Sequence, residues 1–163
     1  MSPHARGQGA RPQITDTRMV SQNVGNPAAR GTVITLFGAV HCTGKTTIAV
    51  NLAAALAQGT GQRVALIDLD TFAGDVAIMM DIPQERSVAD LATQDGDLTI
   101  ELLQDCLYTH KSGVIVLPAP LGLNWWRRVR ADDIGRVVTL LAQTCDYVIL
   151  DISALGLARA SSP

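Results

Sequence analysis

The segment that most constrains this chain is an apolar run, a polar loop and a helical pattern in direct succession. Residues 33–37 are apolar or β-branched, which predicts a buried strand. The loop AVHCTGKT follows at residues 39–46. The apolar residues after it predict a helix over residues 46–58, with Ile48, Leu52, Ala55 and Leu56 on one face and Gly59 as its end. A strand that passes through such a loop into a helix is typical of a phosphate-binding loop.

The chemistry of this loop suits phosphate groups. A glycine-permissive loop at a helix N-terminus can direct backbone N–H groups at phosphate oxygens. Lys45 supplies a long cation for the outer phosphates, and Thr46 supplies a hydroxyl for Mg²⁺. Ala39 replaces the first glycine of the Walker A pattern. The predicted nucleotide-binding residues are Cys42, Thr43, Gly44, Lys45, Thr46 and Thr47. The alternative is a Gly-Lys-Thr helix start without a ligand.

Strand and helix patterns alternate along the rest of the chain. The apolar runs that predict strands are residues 63–68, 113–117 and 147–151. Helical patterns cover residues 98–108 and 132–143, and Ser87 to Asp90 predicts a capped helix start. Near-continuous apolar strands alternating with helices indicate a doubly wound α/β fold, with a parallel sheet covered on both faces. In such sheets, ligands bind at the carboxyl ends of the strands.

Three carboxylates stand at those strand ends. Asp151 closes the apolar run 147–150, which is the Walker B form of a Mg²⁺-holding carboxylate. Asp68 and Asp70 lie two residues apart at the end of the second strand, on one side of the extended chain. One of them could orient an attacking water while the other organises Mg²⁺ or Lys45. The alternative is that both cap a turn.

Composition narrows the class of protein. A formal net charge of -2 argues against bulk electrostatic binding of nucleic acid. No apolar run approaches the roughly 20 residues that span a bilayer. The three cysteines, Cys42, Cys106 and Cys145, lack metal or redox spacing, which favours a reducing cytosol. Residues 1–30 carry no apolar period and predict a disordered tail, so the domain is predicted over 31–163.

The segments ITLFGAVHCTGKTTIAVNLAAALA, RVALIDLD and DYVILD, in this order, resemble the ParA/MinD family of P-loop ATPases. The segments GDVAIMMDIP, RSVADLA and HKSGVIVLPAP are similar to its CpaE/TadZ branch, which serves Tad/Flp pilus assembly. The resemblance runs from residue 32 to about 153. It implies a SIMIBI-type P-loop fold, ATP and Mg²⁺ as cofactors, and a homodimer formed on ATP. It also implies pilus or secretion assembly proteins as partners, and a cytoplasmic protein positioned at the pole or the inner membrane face.

The resemblance also assigns roles to residues of this chain. Lys45 and Thr46 bind nucleotide and Mg²⁺, Asp70 orients water, Asp68 supports the site and Asp151 is the Walker B carboxylate.

The loop departs from the family pattern at three positions. Val40 stands where the family has a lysine that reaches the partner's phosphates, and His41 and Cys42 stand where it has glycines. The sequence therefore leaves two functions open: an ATPase switch that hydrolyses ATP, and a localisation scaffold that does not. Partitioning of DNA by a ParA-type ATPase is a third reading, which the net charge of -2 does not favour.

The family domain continues beyond its Walker B strand, and a later strand flanks the P-loop strand. We therefore expect one edge of residues 33–37 to be unpaired in this chain, either because the chain is a fragment of a longer protein, which we favour, or because a partner completes the sheet. A separate cluster, Trp125, Trp126, Arg127 and Arg128, combines aromatic area with positive charge. It predicts an interface or, equally, one core tryptophan with solvated arginines.

Overall fold

The computed structural model describes residues 31–38, 43–70, 74–91, 98–121 and 129–153. The strands are β1 (Thr32–Gly38), β2 (Val64–Leu69), β3 (Tyr108–Thr109), β4 (Ile115–Leu117) and β5 (Tyr147–Ser153). The helices are α1 (Lys45–Thr60), α2 (Val76–Met79), α3 (Ile100–Cys106) and α4 (Ala131–Thr144), with a 3₁₀ turn at Val88–Leu91.

The strands form one sheet in the order β1-β5-β2-β4-β3. The pairings β1–β5, β5–β2 and β2–β4 are parallel, as the apolar runs predict. Thr32 lies opposite Tyr147, and Asp68 lies opposite Asp151. The carboxyl ends of β2 and β5 therefore meet at one edge of the sheet, where the polar residues of the sequence collect.

Two apolar cores flank the sheet, which confirms the doubly wound architecture. On one face α1 and α2 cover the strands, with Ala49, Ala53 and Leu66 buried there. On the other face α3 and α4 pack on Ile67 and Leu150. Every residue of β2 is buried, because the strand has neighbours on both sides and helices on both faces.

The buried face of α1 differs in part from the prediction. Leu52 and Leu56 pack partly against the core, as predicted, and Ala49 and Ala53 are fully buried. Ile48 is 57% exposed and Ala55 is also exposed, contrary to the prediction. The helix is apolar on most of its circumference, so periodicity alone does not select the face that packs. The small alanines face the sheet, where short side chains let the helix backbone approach closely.

The hairpin at β3 was not expected. The helix predicted to reach Tyr108 ends at Cys106, and Tyr108 pairs antiparallel with Val116 of β4. A tight turn makes the reversal, in which the Gly113 N–H donates to the His110 carbonyl at 2.8 Å. Gly113 has φ of 86°, a left-handed conformation that favours glycine. The sheet is therefore parallel except for one short antiparallel edge.

The capped turn predicted at Ser87 is present. The backbone N–H and the hydroxyl of Ser87 donate to Asp90 Oδ2 at 2.8 and 3.0 Å, and the Asp90 N–H donates to the Ser87 carbonyl. In the described ranges this segment is a 3₁₀ turn. None of the helices in those ranges is long and apolar enough to cross a bilayer.

Candidate phosphate-binding site

The N-terminus of α1 has no side-chain cap and no acidic residue in its first turn. Its N-cap, Gly44, has φ of 76°, in the left-handed region, and no side chain caps the helix. The Ile48 N–H donates to the Gly44 carbonyl at 2.9 Å, which is the first intrahelical bond. The preceding N–H groups have no partner within the helix, and its first turn carries no acidic residue. The partial positive charge of this helix end is therefore available to a ligand.

Lys45 brings a full positive charge to the same place. Its side chain is only 11% exposed. The Nζ atom lies 2.5 Å from Asp151 Oδ1 and 3.6 Å from Asp70 Oδ2. Two carboxylates predicted from separate segments of the sequence thus converge on the Lys45 ammonium group.

In the described part of the chain, one of the two carboxylate oxygens of Asp151 is unsatisfied. The carboxylate is fully buried in β5, two residues before the strand ends, and Oδ1 accepts the hydrogen bond from Lys45. Within the described part of the chain, Oδ2 has no hydrogen-bond partner. A buried carboxylate oxygen without a donor is costly unless a cation or donor satisfies it.

The donor chemistry at this point fits Mg²⁺. The ion prefers oxygen ligands, and proteins commonly hold it by one or two side chains together with phosphate oxygens and water. Asp151 Oδ2 and the hydroxyl of half-buried Thr46 are oxygens of this type. No group of three or more His, Cys, Asp or Glu residues in the described ranges could hold a metal alone. A cation here would depend on ligand oxygens.

Asp68 is an anchor for the backbone beyond β2. Its Oδ1 accepts the Asp70 N–H at 3.0 Å, and its Oδ2 accepts the Val76 N–H at 3.2 Å. Burial raises the pKa of Asp68 to about 7, and the charges of Asp151 and Asp70 act in the same direction. The two backbone bonds act against this rise. The contacts match the turn-capping alternative for Asp68, and they fix the backbone that carries Asp70.

Gly74 belongs to this anchor and was not singled out in the sequence. A Cβ atom at this position would clash with the Ala119 Cβ and would lie 2.8 Å from Asp68 Oδ2. The position therefore needs glycine for close approach, and the signal in the sequence is the Gly-Asp pair that precedes α2.

The remaining predicted residues are placed as follows. Thr43, Gly44 and Thr47 are exposed around the start of α1, and the Thr47 carbonyl accepts from Asn51 Nδ2 at 2.8 Å. The predictions for Cys42, Val40, His41, Trp125, Trp126, Arg127, Arg128 and the tail over residues 1–30 lie outside the described residues. Cys106 and Cys145 are buried free thiols, and burial raises the pKa of both.

Comparison with known proteins gives a family match that includes this site. The family model described as "CobQ/CobB/MinD/ParA nucleotide binding domain" matches residues 42–156. An uncharacterized ATP-binding protein of Methanocaldococcus jannaschii is 34% identical over 128 residues, which is 78% of this chain and 46% of that protein. The chain thus spans about half the length of this relative.

Solved structures show the same fold at lower identity. A ParA family ATPase from Chlorobium tepidum TLS has a TM-score of 0.67 at 23% identity, over 78% of this chain and 52% of that one. The septum site-determining protein MinD of Pyrococcus horikoshii OT3, complexed with Mg-ADP, has a TM-score of 0.61 at 22% identity, over 74% and 48%. Both likenesses concern the fold.

Proposed function

The chain belongs to the CobQ/CobB/MinD/ParA nucleotide-binding family, and on that basis we propose that it is a Mg²⁺-dependent ATP-binding switch. The observation that carries the proposal is the position of Lys45, at the uncapped start of α1 and against Asp151. A nucleoside triphosphate bound with Mg²⁺ presents both negative phosphates and a cation. The ammonium of Lys45 would attract the phosphates, and the carboxylate of its partner Asp151 would attract the cation.

The phosphates would be held by the first turn of α1 and by Lys45. In the chain alone, the positive charge of Lys45 is matched by Asp151 and Asp70. Phosphate oxygens at the helix N-terminus would give the Nζ atom new anionic partners. The pair with Asp151 would then loosen, which links ligand binding to the end of β5.

The cation would be held by the side chain of Thr46 and by Asp151 Oδ2. Bound there, Mg²⁺ would neutralise charge on the phosphate oxygens. Asp151 Oδ2, which has no hydrogen-bond partner in the described part of the chain, would be a charged ligand, and Thr46 would contribute a neutral ligand from α1.

Hydrolysis, where it occurs, would depend on Asp70. This carboxylate is 9% exposed and lies near the Lys45 ammonium, so it can accept a hydrogen bond from a water directed at the outer phosphate. Asp68 holds the Asp70 N–H and fixes its backbone. Val40 removes the charge that the family lysine would add from a partner subunit, so we expect slow turnover.

We further propose a role in the assembly or polar positioning of a pilus or secretion apparatus, as in the CpaE/TadZ branch. The support is the resemblance of the segments GDVAIMMDIP, RSVADLA and HKSGVIVLPAP. ATP would promote a homodimer that binds the assembly proteins, and loss of ATP would reverse it. A non-hydrolysing scaffold is the second candidate, favoured by the residues at positions 40 to 42.

Equilibrium binding of a fluorescent ATP analogue with Mg²⁺ tests the proposal. Lys45→Ala should reduce affinity at least about tenfold, because a charge-assisted hydrogen bond contributes roughly 1.5–3 kcal/mol. Lys111→Ala is the matched control, since Lys111 is exposed in the β3–β4 turn. Equal affinity in the parent, Lys45→Ala and Lys111→Ala would contradict an ATP site at this loop.

Phosphate release by the same proteins separates the two candidates. Asp70→Asn should bind the analogue as the parent does, yet release no phosphate from ATP. A parent that binds ATP without any release would favour the scaffold. Turnover that survives in Asp70→Asn would remove Asp70 from the proposed mechanism.

A further inference from the structure

The positive charge of Lys45 is outnumbered by the carboxylates that surround it. Its Nζ atom lies within ion-pair distance of two of them, Asp151 Oδ1 at 2.5 Å and Asp70 Oδ2 at 3.6 Å. The loop at residues 39–46 contains no lysine or arginine besides Lys45. The side chain that is expected to attract phosphate groups therefore shares one positive charge between two negative ones.

These three charges are largely withdrawn from solvent. The side chains of Lys45, Asp70 and Asp151 are 11%, 12% and 0% exposed. Dissolved salt screens buried and partly buried charges much less than exposed ones. The lower dielectric constant away from bulk water also strengthens the interaction between charges. The carboxylates of Asp70 and Asp151 therefore act strongly on any anion that approaches Lys45.

A nucleotide with a bound cation and the same nucleotide without one would meet this charge differently. Phosphate groups at the start of α1 would be attracted by the helix N-terminus and by Lys45, but they would also lie near both carboxylates. A divalent cation at Asp151 Oδ2 would offset negative charge on the phosphates and on the protein. Without that cation, the carboxylates would repel the phosphates.

We propose that Asp70 is a specificity-determining residue, which makes this site reject a nucleoside triphosphate that brings no divalent cation. The inference rests on the proposed ATP site and gives Asp70 a role in binding, in addition to its proposed role toward water. Asp151 repels free nucleotide in the same way, but its Oδ2 atom is also the proposed cation ligand. Asp70 can be neutralised without removal of that ligand, so it isolates the repulsion.

The quantity that reports this selectivity is the ratio of two dissociation constants. One is the Kd of the nucleotide in excess EDTA, and the other is its Kd in saturating Mg²⁺. The charge of Asp70 raises the first more than the second, because Mg²⁺ neutralises part of the phosphate charge. A residue that only maintained the shape of the site would change both constants alike and leave the ratio unaltered.

Equilibrium binding of the fluorescent ATP analogue to the full 163-residue chain measures both constants at one fixed pH. Asp70→Asn should lower the Kd in EDTA about tenfold, because a neighbouring charge commonly shifts the equilibrium of an ionised group by a factor of ten or more. Its Kd in Mg²⁺ should stay close to that of the parent. Asp70→Ser, a second neutral substitution, should behave in the same way. Binding in Mg²⁺ also establishes that each variant is folded.

Two variants control for the loss of charge. Asp70→Glu keeps the negative charge, so its Kd in EDTA should remain within about threefold of the parent's value. Asp132→Asn removes one negative charge from a side chain that is 82% exposed, where solvent and salt screen it. Both of its dissociation constants should equal those of the parent.

The outcomes separate this inference from the proposed function. A parent that binds the analogue in Mg²⁺, with neutral Asp70 variants that gain no affinity in EDTA, would overturn the inference and leave the proposed ATP site intact. An equal gain in EDTA and in Mg²⁺ would also overturn it, because Asp70 would then oppose both forms alike. A folded parent that binds no analogue in Mg²⁺ would overturn the proposed function and the inference together.

Discussion

Lys45 Nζ lies 2.5 Å from Asp151 Oδ1, although 106 residues separate the two in the chain. The pair joins the first residue of α1 to the carboxyl-terminal half of β5, so it connects the predicted phosphate loop to the predicted Walker B strand without a ligand. Asp151 Oδ2 stays without a partner in the described part of the chain. A cation would give this oxygen a partner, and an anion at the start of α1 would give Lys45 another one.

The first prediction concerns the cation. Asp151→Asn removes the proposed Mg²⁺ ligand charge, whereas Asp70 still offsets the charge of Lys45. The Mg²⁺ concentration for half-maximal binding of the ATP analogue should rise about tenfold or more. Fluorescence titration with Mg²⁺ at fixed analogue measures it. Asp132→Asn, at an exposed position on α4, is the control. Identical Mg²⁺ curves for Asp151→Asn and the parent would exclude Asp151 as a ligand.

The second prediction concerns pH. The pKa of Asp68 rises from 3.8 to about 7 on folding, chiefly through burial. Between these values the folded chain holds a proton that the unfolded chain has lost, so this group's contribution to stability falls as pH rises from about 4 to 7.

Urea unfolding at several pH values without Mg²⁺ measures the effect. The free energy of unfolding of the parent should fall relative to that of Asp68→Asn, by at most about 1.4 kcal/mol per pH unit. Above about pH 7 the difference should become constant. A free energy of unfolding of the parent that rises with pH, relative to that of Asp68→Asn, would contradict the raised pKa.

The third prediction compares two glycines. Gly74→Ala introduces a Cβ atom against Ala119 and Asp68, so it should lower the free energy of unfolding by roughly 1–3 kcal/mol. Gly135→Ala lies on an exposed face of α4 with open space around it, and should raise the free energy by roughly 0.5–1 kcal/mol. Chemical denaturation measures both. Equal effects would mean that Gly74 is not packed as described.

Much of the architecture follows from the sequence, because β2 and β5 are long apolar runs that only a covered parallel sheet can bury. β3 was not predicted, because a strand of two residues is too short to show an alternation of apolar and polar side chains. The buried face of α1 was predicted only in part, because Ile48 and Ala49 are both apolar and only the packed sheet selects between them.

The sequence predicted which residues form the candidate site, but not the contacts that each of them makes. Asp68, Asp70 and Asp151 were expected beside the loop because they follow apolar strands, and the carboxyl ends of parallel strands meet. The contacts of each carboxylate depend on the three-dimensional structure. Asp68 is occupied by backbone N–H groups, whereas Asp151 is occupied by Lys45 on one oxygen only. No local pattern in the sequence distinguishes these two buried carboxylates.

The most direct test of the ATP site uses the fact that the chain has two lysines, Lys45 and Lys111. The acylation rate of each, with and without Mg²⁺-ATP, can be followed by mass spectrometry of the same sample. With ATP at ~100 times its Kd, Lys45 should be protected about 100-fold, while Lys111 should react at an unchanged rate. Equal rates for Lys45 with and without Mg²⁺-ATP would contradict the proposal that this loop binds nucleotide.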